Sequence, residues 1–343
     1  MLEALIKILF VTIVNLTIVA YLVWVERKVC ALIQNRYGPN RVGPFGLLQP
    51  VADIVKLFFK EDIVPKNANR FIHSLAPIIS TIVAFSTFAV IPFGDTINLF
   101  GTEYKLIIAD VNVGVLFLLT LSSLGVYGVT LSGWSSNNKY SLLGGLRSSA
   151  QMISYELSMG VSIVGVILFA GTFQMDELVK SQGGIIFGFI PAWNIFIQPI
   201  GFITFLVSAF AETNRLPFDL PEAEPELIGG YHTEYTGMKF GLFFLAEYAN
   251  MITASALITT LYLGGWQIPY LPENYFSPLT MSILKIGMFG VKVLFILLFF
   301  IIIRWTLPRF KYDQLMNIGW KIMLPLSILN VLIVGGMILS GII

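Results

Sequence analysis

Residues 211–239 read AETNRLPFDLPEAEPELIGGYHTEYTGMK, and residues 240–264 continue as FGLFFLAEYANMITASALITTLYLG. The first 29 residues hold six of the chain's twenty Asp and Glu: Glu212, Asp219, Glu222, Glu224, Glu226 and Glu234. The next 25 hold one, Glu247. A helix needs about 20 mostly apolar residues to cross the hydrocarbon core of a bilayer. The second stretch therefore reads as a membrane span, and the first as a charged, proline-stiffened connection at its mouth.

The same pattern recurs along the chain. Further apolar runs occupy 5–25, 75–93, 111–131, 151–171, 193–211, 283–305 and 319–341, making eight in all. The chain is 56% hydrophobic and only 12% charged, with mean hydropathy +0.80; a soluble domain carries roughly 25% charged residues. The expected fold is all-α, a polytopic bundle of eight transmembrane helices forming one unit over 1–343. A β-barrel would show short alternating segments instead. Pro199 is expected to kink the fifth span, which membrane helices tolerate when neighbours satisfy the freed carbonyl. The short run 184–193 reads as an interfacial piece. The N-terminal run is too long for a cleaved signal, carries Glu3 ahead of Lys7 and shows no small-residue cleavage site.

Basic residues sort by connection. The segment after the first span holds Arg27, Lys28, Arg36, Arg41, Lys56, Lys60, Lys66 and Arg70; the third connection Lys139 and Arg147; the fifth Arg215 and Lys239; the seventh Arg304, Arg309, Lys311 and Lys321. The alternate connections offer Lys105, Lys180 and Lys285. The positive-inside rule then puts the connections 26–74, 132–150, 212–239 and 306–318 in the cytoplasm and both termini outside.

Composition also excludes chemistry. One cysteine, Cys30, and two histidines, His73 and His232, cannot supply the roughly four cysteine-type ligands of an iron–sulfur cluster, and neither histidine lies mid-span where a membrane haem takes its axial ligands. No G-x-G-x-x-G after a strand, P-loop or zinc-ligand spacing is present. No metal site and no resident cofactor are expected. Dispersed basic residues and a net charge of +1 give no support to nucleic-acid binding.

Three constellations remain. In ERKVCALIQNRYGPNRVGPFGLLQPVADIVKLFFKEDIVP, from Glu26, a Gly- and Pro-rich turn over Arg36–Gly46 precedes Gln49, Asp53, Lys56 and Lys60 at steps of four, three and four. That spacing draws one narrow polar stripe on an otherwise apolar amphipathic helix lying in the interface. The stripe either lines a polar entrance suited to an amphiphile's head group or is the solvated face of an anchor helix. In the fourth span, Gln151, Tyr155, Ser158 and Ser162 form a second stripe with Glu156 beside it. With Glu247 and Lys292 on other spans, these ionisable groups are candidates for a buried proton path; the alternative is a structural ion pair between Lys292 and one glutamate. The acidic connection has two readings as well. Crowded carboxylates raise one another's pKa and can hold protons near neutral pH, or the loop docks onto a basic partner.

Three strings carry a resemblance: ERKVCALIQNRYGPNRVGPFGLLQPVADIVKLFFKED (26–62), SGWSSNNKYSLLGGLRSSAQMISYE (132–156) and AETNRLPFDLPEAEPELIGGYHTEYTGMKFGLFFLAEY (211–248). The chain resembles, nearly end to end, the H subunit of the bacterial proton-pumping NADH:quinone oxidoreductase, the counterpart of mitochondrial NADH dehydrogenase subunit 1. The resemblance implies a membrane subunit at the junction with the hydrophilic arm. There it would form a chamber for ubiquinone or menaquinone with the quinone-site and iron–sulfur subunits, alongside other membrane-arm subunits. Iron–sulfur clusters and FMN would lie in those partners. It implies that Arg36, Asp53 and Lys56 lie by the chamber entrance or wall, that the acidic residues 212–234 face the chamber, and that Glu156 and Glu247 begin a charged path into the membrane arm. Tyr37 stands where other members carry Lys. The expected location is the bacterial cytoplasmic membrane, or the mitochondrial inner membrane for an organellar source. Two rivals are the anchor subunit of a membrane hydrogenase or of a ferredoxin- or deazaflavin-linked dehydrogenase, and a free-standing cation transporter. A transporter should show paired broken helices in its two halves.

Overall fold

A computed structural model describes residues 2–99, 102–186, 188–219, 228–271 and 275–341. Helices α1 (Leu2–Ile33), α2 (Gln49–Phe59), α3 (Arg70–Ser86), α4 (Gly114–Ser135), α5 (Lys139–Ala170), α6 (Met175–Lys180), α7 (Asn194–Ile197), α8 (Pro199–Glu212), α9 (Gly237–Tyr262), α10 (Pro278–Thr306), α11 (Tyr312–Ile318) and α12 (Leu324–Leu339) follow in order. Two short antiparallel hairpins, Thr96–Leu99 with Thr102–Lys105 and Ile185–Ile186 with Ile190–Pro191, sit in the connections. The second falls in the run expected to be interfacial. Among the described residues, seven helical segments are long and apolar enough to cross a membrane: Glu3–Ile33, Arg70–Val90, Gly114–Ser135, Lys139–Ala170, Gly237–Tyr262, Pro278–Thr306 and Tyr312–Leu339. The protein is an all-α membrane bundle.

The fifth expected span differs. Pro199 does more than kink it. The residue before a proline is pushed out of the helical region, and Gln198 sits at φ −131°, ψ 61°, separating α7 from α8. The 14 residues of α8 reach about 21 Å, short of the roughly 30 Å core. The break is internally satisfied, as a membrane demands. Gln198 Nε2 donates to Gly165 O at 3.2 Å, and the Gly201 amide donates to Asn330 Oδ1 at 3.1 Å. The last span is also interrupted, by a π-helical turn over Gly319–Met323. Pro325, two residues further on, supplies no N–H to the ladder; within the turn, Trp320 Nε1 donates to Ser154 Oγ of α5 at 3.1 Å.

Hydrogen bonds between connections sort them into two ends. At one end Asn69 N donates to Ser135 O at 3.1 Å, Ile63 N to Thr236 Oγ1 at 3.1 Å and Phe310 N to Pro217 O at 3.2 Å. At the other, Val115 N donates to Phe173 O at 3.2 Å, Gln182 Nε2 to Thr260 O at 2.8 Å and Ser282 Oγ to Thr96 O at 2.6 Å. The odd-numbered, basic connections therefore share one end, the odd end, and the others the even end.

The core runs along α9, buried at every position from Met251 to Tyr262. An apolar helix buried all round belongs at the centre; Ile258, Leu261 and Tyr262 meet Phe205 and Phe300 in one cluster. α1 lies at the edge, with Leu5, Ile6, Leu9, Phe10 and Ile13 facing outward. Small residues allow the closest backbone approaches, as in membrane bundles generally. A Cβ on Gly144 of α5 would stand 2.6 Å from Gly230 Cα, so the chain after the acidic segment packs directly on α5.

Candidate functional site

The turn over Arg36–Gly46 is shaped by Gly46, at φ +77°, where a Cβ would meet Pro39 O at 2.2 Å. It folds back over the end of α1 and leaves a groove of about 760 Å³ lined by Arg27, Arg36, Tyr37, Arg41 and Gln49, among others. Gln49 Nε2 donates to Asp53 Oδ1 at 3.1 Å, and Asp53 pairs with Arg27 at 2.7 Å. Arg36 Nε donates to Gln34 Oε1 at 2.7 Å. The structure thus brings Arg36 and Gln49 to one groove, with Asp53 held behind it by Arg27. Lys56 is exposed on α2 and does not line the groove. The opposite face of α2 leaves Val51, Ile54, Val55 and Phe58 exposed, as an interfacial helix should.

Beneath lies a buried ionic network. Glu26, near the end of α1, is 5% exposed and Arg215, after α8, 4%. Arg215 Nη1 donates to Glu26 Oε1 and Oε2 at 3.1 and 3.2 Å, and Arg215 Nε pairs with Glu247 Oε1 at 2.7 Å. Arg304 of α10 also pairs with Glu26. Tyr248 Oη donates to Glu26 Oε2 at 2.7 Å, and its ring lies 4.4 Å from the Arg215 guanidinium. Two carboxylates face two guanidinium groups, so the cluster is neutral, which buried charges require. Burial opposes the Arg215 charge, but Glu247 and Glu26 outweigh it and raise its pKa further, keeping it protonated. One step away, Arg309 Nη2 donates to Asp219 Oδ2 at 3.0 Å. Burial pushes the Asp219 carboxyl up, against the pull of Arg309.

The remaining carboxylates continue the line. Glu247 and Glu212 both face a cavity of about 70 Å³ walled by Ser80, Thr87, Ser122, Asn214, Asn250 and Thr253 among apolar neighbours. A space of that size has room for about two waters. Glu212 accepts from Ser122, and Glu156 of α5 accepts from the adjacent Ser123. Two neighbouring serines of α4 thus carry one carboxylate each, near enough for Glu156 to act electrostatically on Glu212. Ionisable side chains therefore run from α5 past α8 and α9 to α1 and α10.

Other expected members stand apart. Tyr155 Oη donates to Leu315 O at 2.8 Å and its ring packs on Phe218 at 5.4 Å, joining α5 to α11 rather than to the carboxylates. The stripe it belongs to is the seam of α5: Gln151 Nε2 donates to Ala211 O and Phe218 O, both at 2.8 Å, and Ser158 meets Ser208 at 3.2 Å. Lys292 pairs with neither Glu156 nor Glu247. Its Nζ donates to the carbonyls of Leu263, Gly265 and Gln267 at 2.7, 3.0 and 2.8 Å and lies 4.3 Å over Trp193, at the even end. Cations favour helix C-termini, and α9 ends there. Glu234 accepts from Asn138 Nδ2 at 2.6 Å beside the start of α5. Glu222, Glu224 and Glu226 lie outside the described residues.

Sequence reasoning missed Glu26, Tyr248 and Arg304 as site residues. Glu26 looked like a charge just beyond a span. Yet no glycine or proline falls between Ile6 and Tyr37, so α1 continues to Ile33 and carries Glu26 inside the fold. The lack of a helix breaker was the available signal.

The family model described as NADH dehydrogenase matches residues 6–335. The H 1 subunit of NADH-quinone oxidoreductase from Cytophaga hutchinsonii is 49% identical over 339 residues, covering 99% of this chain and 97% of its own. NADH-quinone oxidoreductase subunit 8 of Rhodothermus marinus is 53% identical, with 96% and 95% covered. The H subunit of NADH-quinone oxidoreductase from Salinibacter ruber is 52% identical, with 93% and 92% covered. The chain folded into this bundle, with its short broken span and a line of buried and half-buried carboxylates between helices, is thus matched over residues 6–335, and it belongs to the NADH dehydrogenase family, among the H subunits of multisubunit NADH-quinone oxidoreductases.

Proposed function

We propose that this chain shapes the quinone chamber of a proton-translocating NADH:quinone oxidoreductase and passes the charge change of quinone reduction to protons in the membrane. The observation that carries the coupling is the small cavity with Glu212 and Glu247 on its walls. Glu247 is tied through Arg215 to Glu26 and the odd end, and Glu212 leads through Ser122 and Ser123 to Glu156. A charge appearing at the odd end would act on Arg215, loosen its hold on Glu247 and bias proton uptake along the line. The quinone head group would be met by the Arg36 and Gln49 groove, with Asp53 and Lys56 behind and beside it. The acidic connection, Glu222, Glu224 and Glu226 included, would face the same chamber. In this reading the odd end faces the cytoplasm of a bacterial cell, where the quinone-site and iron–sulfur subunits dock, and both termini are periplasmic. Electrons stay in the partners, and the quinone is substrate.

The test is Glu156→Gln, Glu212→Gln and Glu247→Gln in the assembled complex, with quinone reduction and proton translocation followed together in sealed vesicles and assembly checked on native gels. The expected outcome is an assembled complex with impaired proton-coupled turnover, and less harm from Glu→Asp because an acid remains. Full turnover and full pumping in all three Gln variants would refute the coupling; loss of assembly would assign the carboxylates a structural role.

A further inference from the structure

The end of α8 carries two members of the charged line, Glu212 and Arg215, which face different partners. Glu212 accepts from Ser122 of α4, while Arg215 pairs with Glu26 of α1 and Glu247 of α9. The turn between them is well defined. Arg215 N donates to Phe210 O and Asn214 N to Ala211 O, both at 3.4 Å. These are the two bonds of a Schellman motif, in which the first residue past the helix cap is left-handed. Asn214 holds that position, at φ +49°. Glycine takes this conformation at least cost, so the backbone alone does not explain an asparagine there.

Its side chain is held by α5. Asn214 is 8% exposed. Its Oδ1 accepts from Ser148 Oγ at 3.4 Å and from Gln151 Nε2 at 3.3 Å, and its Nδ2 donates to Met152 Sδ at 3.8 Å. Positions 148, 151 and 152 lie on one face of the helix. Gln151, fully buried, also donates to Ala211 O and Phe218 O, both at 2.8 Å. One buried amide therefore grips both ends of the segment 211–218, with Glu212 and Arg215 between them. Its orientation is fixed, because turning it over would set its oxygen against two carbonyl oxygens. As seated, Gln151 Oε1 has no partner among the described residues, a cost that an apolar residue at this seam would avoid. Glu156 stands further along the same helix. Glu156, Glu212 and Arg215 are thus all referenced to one side chain.

We propose that Gln151 and Asn214 are positioning residues for the coupling: together they fix the turn that keeps Glu212 at the cavity and Arg215 on Glu247. This rests on the coupling reading above and adds two neutral residues to it. Neither lines the quinone groove.

The test measures proton-coupled quinone turnover per assembled complex in sealed vesicles. Native gels give the amount of complex, and NADH oxidation by an artificial acceptor checks the partner subunits. Asn214→Ala removes the side-chain contacts and strains a left-handed backbone, and maximal turnover should fall about tenfold. The quinone KM and the artificial-acceptor rate should not change. Asn214→Gly keeps the backbone conformation and should restore part of the turnover. Gln151→Leu should lower maximal turnover as well. The double variant Gln151→Leu/Asn214→Gly should lose less than the product of the two single effects, because both act through one contact. A purely structural role would reduce the yield of complex and leave turnover per complex at the parent value. That result, a raised quinone KM, or loss of assembly in Asn214→Gly would overturn the inference. The Glu156→Gln, Glu212→Gln and Glu247→Gln variants run alongside. If they are impaired while the Asn214 and Gln151 variants are not, the positioning role falls and the coupling reading stands; if all three turn over and pump fully, both fall.

Discussion

Glu26→Gln isolates the buried ionic network. The change is near-isosteric and removes one negative charge from a neutral cluster. Arg215, 4% exposed, keeps Glu247 but loses its second counter-ion; Arg304 loses its partner, and Tyr248 loses its acceptor carboxylate. Removing one member of a buried pair costs about 3–5 kcal/mol because the other charge stays buried. Arg304 is about one-third exposed (32%) and recovers part of its loss from solvent. The lower end, about 3–4 kcal/mol, is therefore expected, and it raises the population of opened chain roughly 10²- to 10³-fold. Cys30, the single cysteine, one turn further along α1 and 4% exposed, reports that opening. Its labelling by a maleimide, read on the separated subunit after brief exposure of the complex, should accelerate by that factor. The double variant Glu26→Gln/Arg304→Gln restores neutrality and should recover part of the loss. If Glu26→Gln labels no faster than the parent, while Leu22→Ala on the same buried face does, the network does not hold α1 and the reasoning fails.

Lys292→Met should destabilise the complex, since three carbonyls at the end of α9 lose their donor, yet leave the ratio of protons moved to quinone reduced unchanged in surviving complexes; a lowered ratio would return Lys292 to the proton path. His232 stacks edge-on against Tyr231 and Phe240, and burial lowers its pKa from 6.5 to about 4. The folded state then refuses a proton that the unfolded chain accepts, so this stability is complete above pH 6.5 and is lost as pH falls towards 4. His232→Phe keeps the ring contacts and should flatten the pH dependence of the thermal denaturation midpoint over that window; an unchanged slope would contradict the burial argument.

Sequence alone determined that this is a helical membrane protein, where seven of its eight expected spans lie, and that its basic residues gather on alternate connections. Those properties are local. An apolar run long enough to cross the bilayer has few alternatives to a helix, because its backbone must satisfy itself, and basic residues can be counted loop by loop. The amphipathic α2 was legible for the same reason, its stripe being set by helical periodicity. Only the tertiary structure decided which ionisable groups meet. Glu26 and Glu247 stand 221 residues apart and share Arg215 through helix packing that no spacing rule encodes. Lys292, grouped with the carboxylates as an ionisable residue inside a span, and Tyr155, set by periodicity in the stripe beside Glu156, instead found backbone carbonyls at Leu263 and Leu315. A buried polar group takes whichever partner the packed helices bring within reach, and leaving it unpaired costs more than any local preference. The break at Gln198 belongs to both levels: Pro199 marks it in the sequence, while Asn330 and Gly165, far along the chain, make it tolerable.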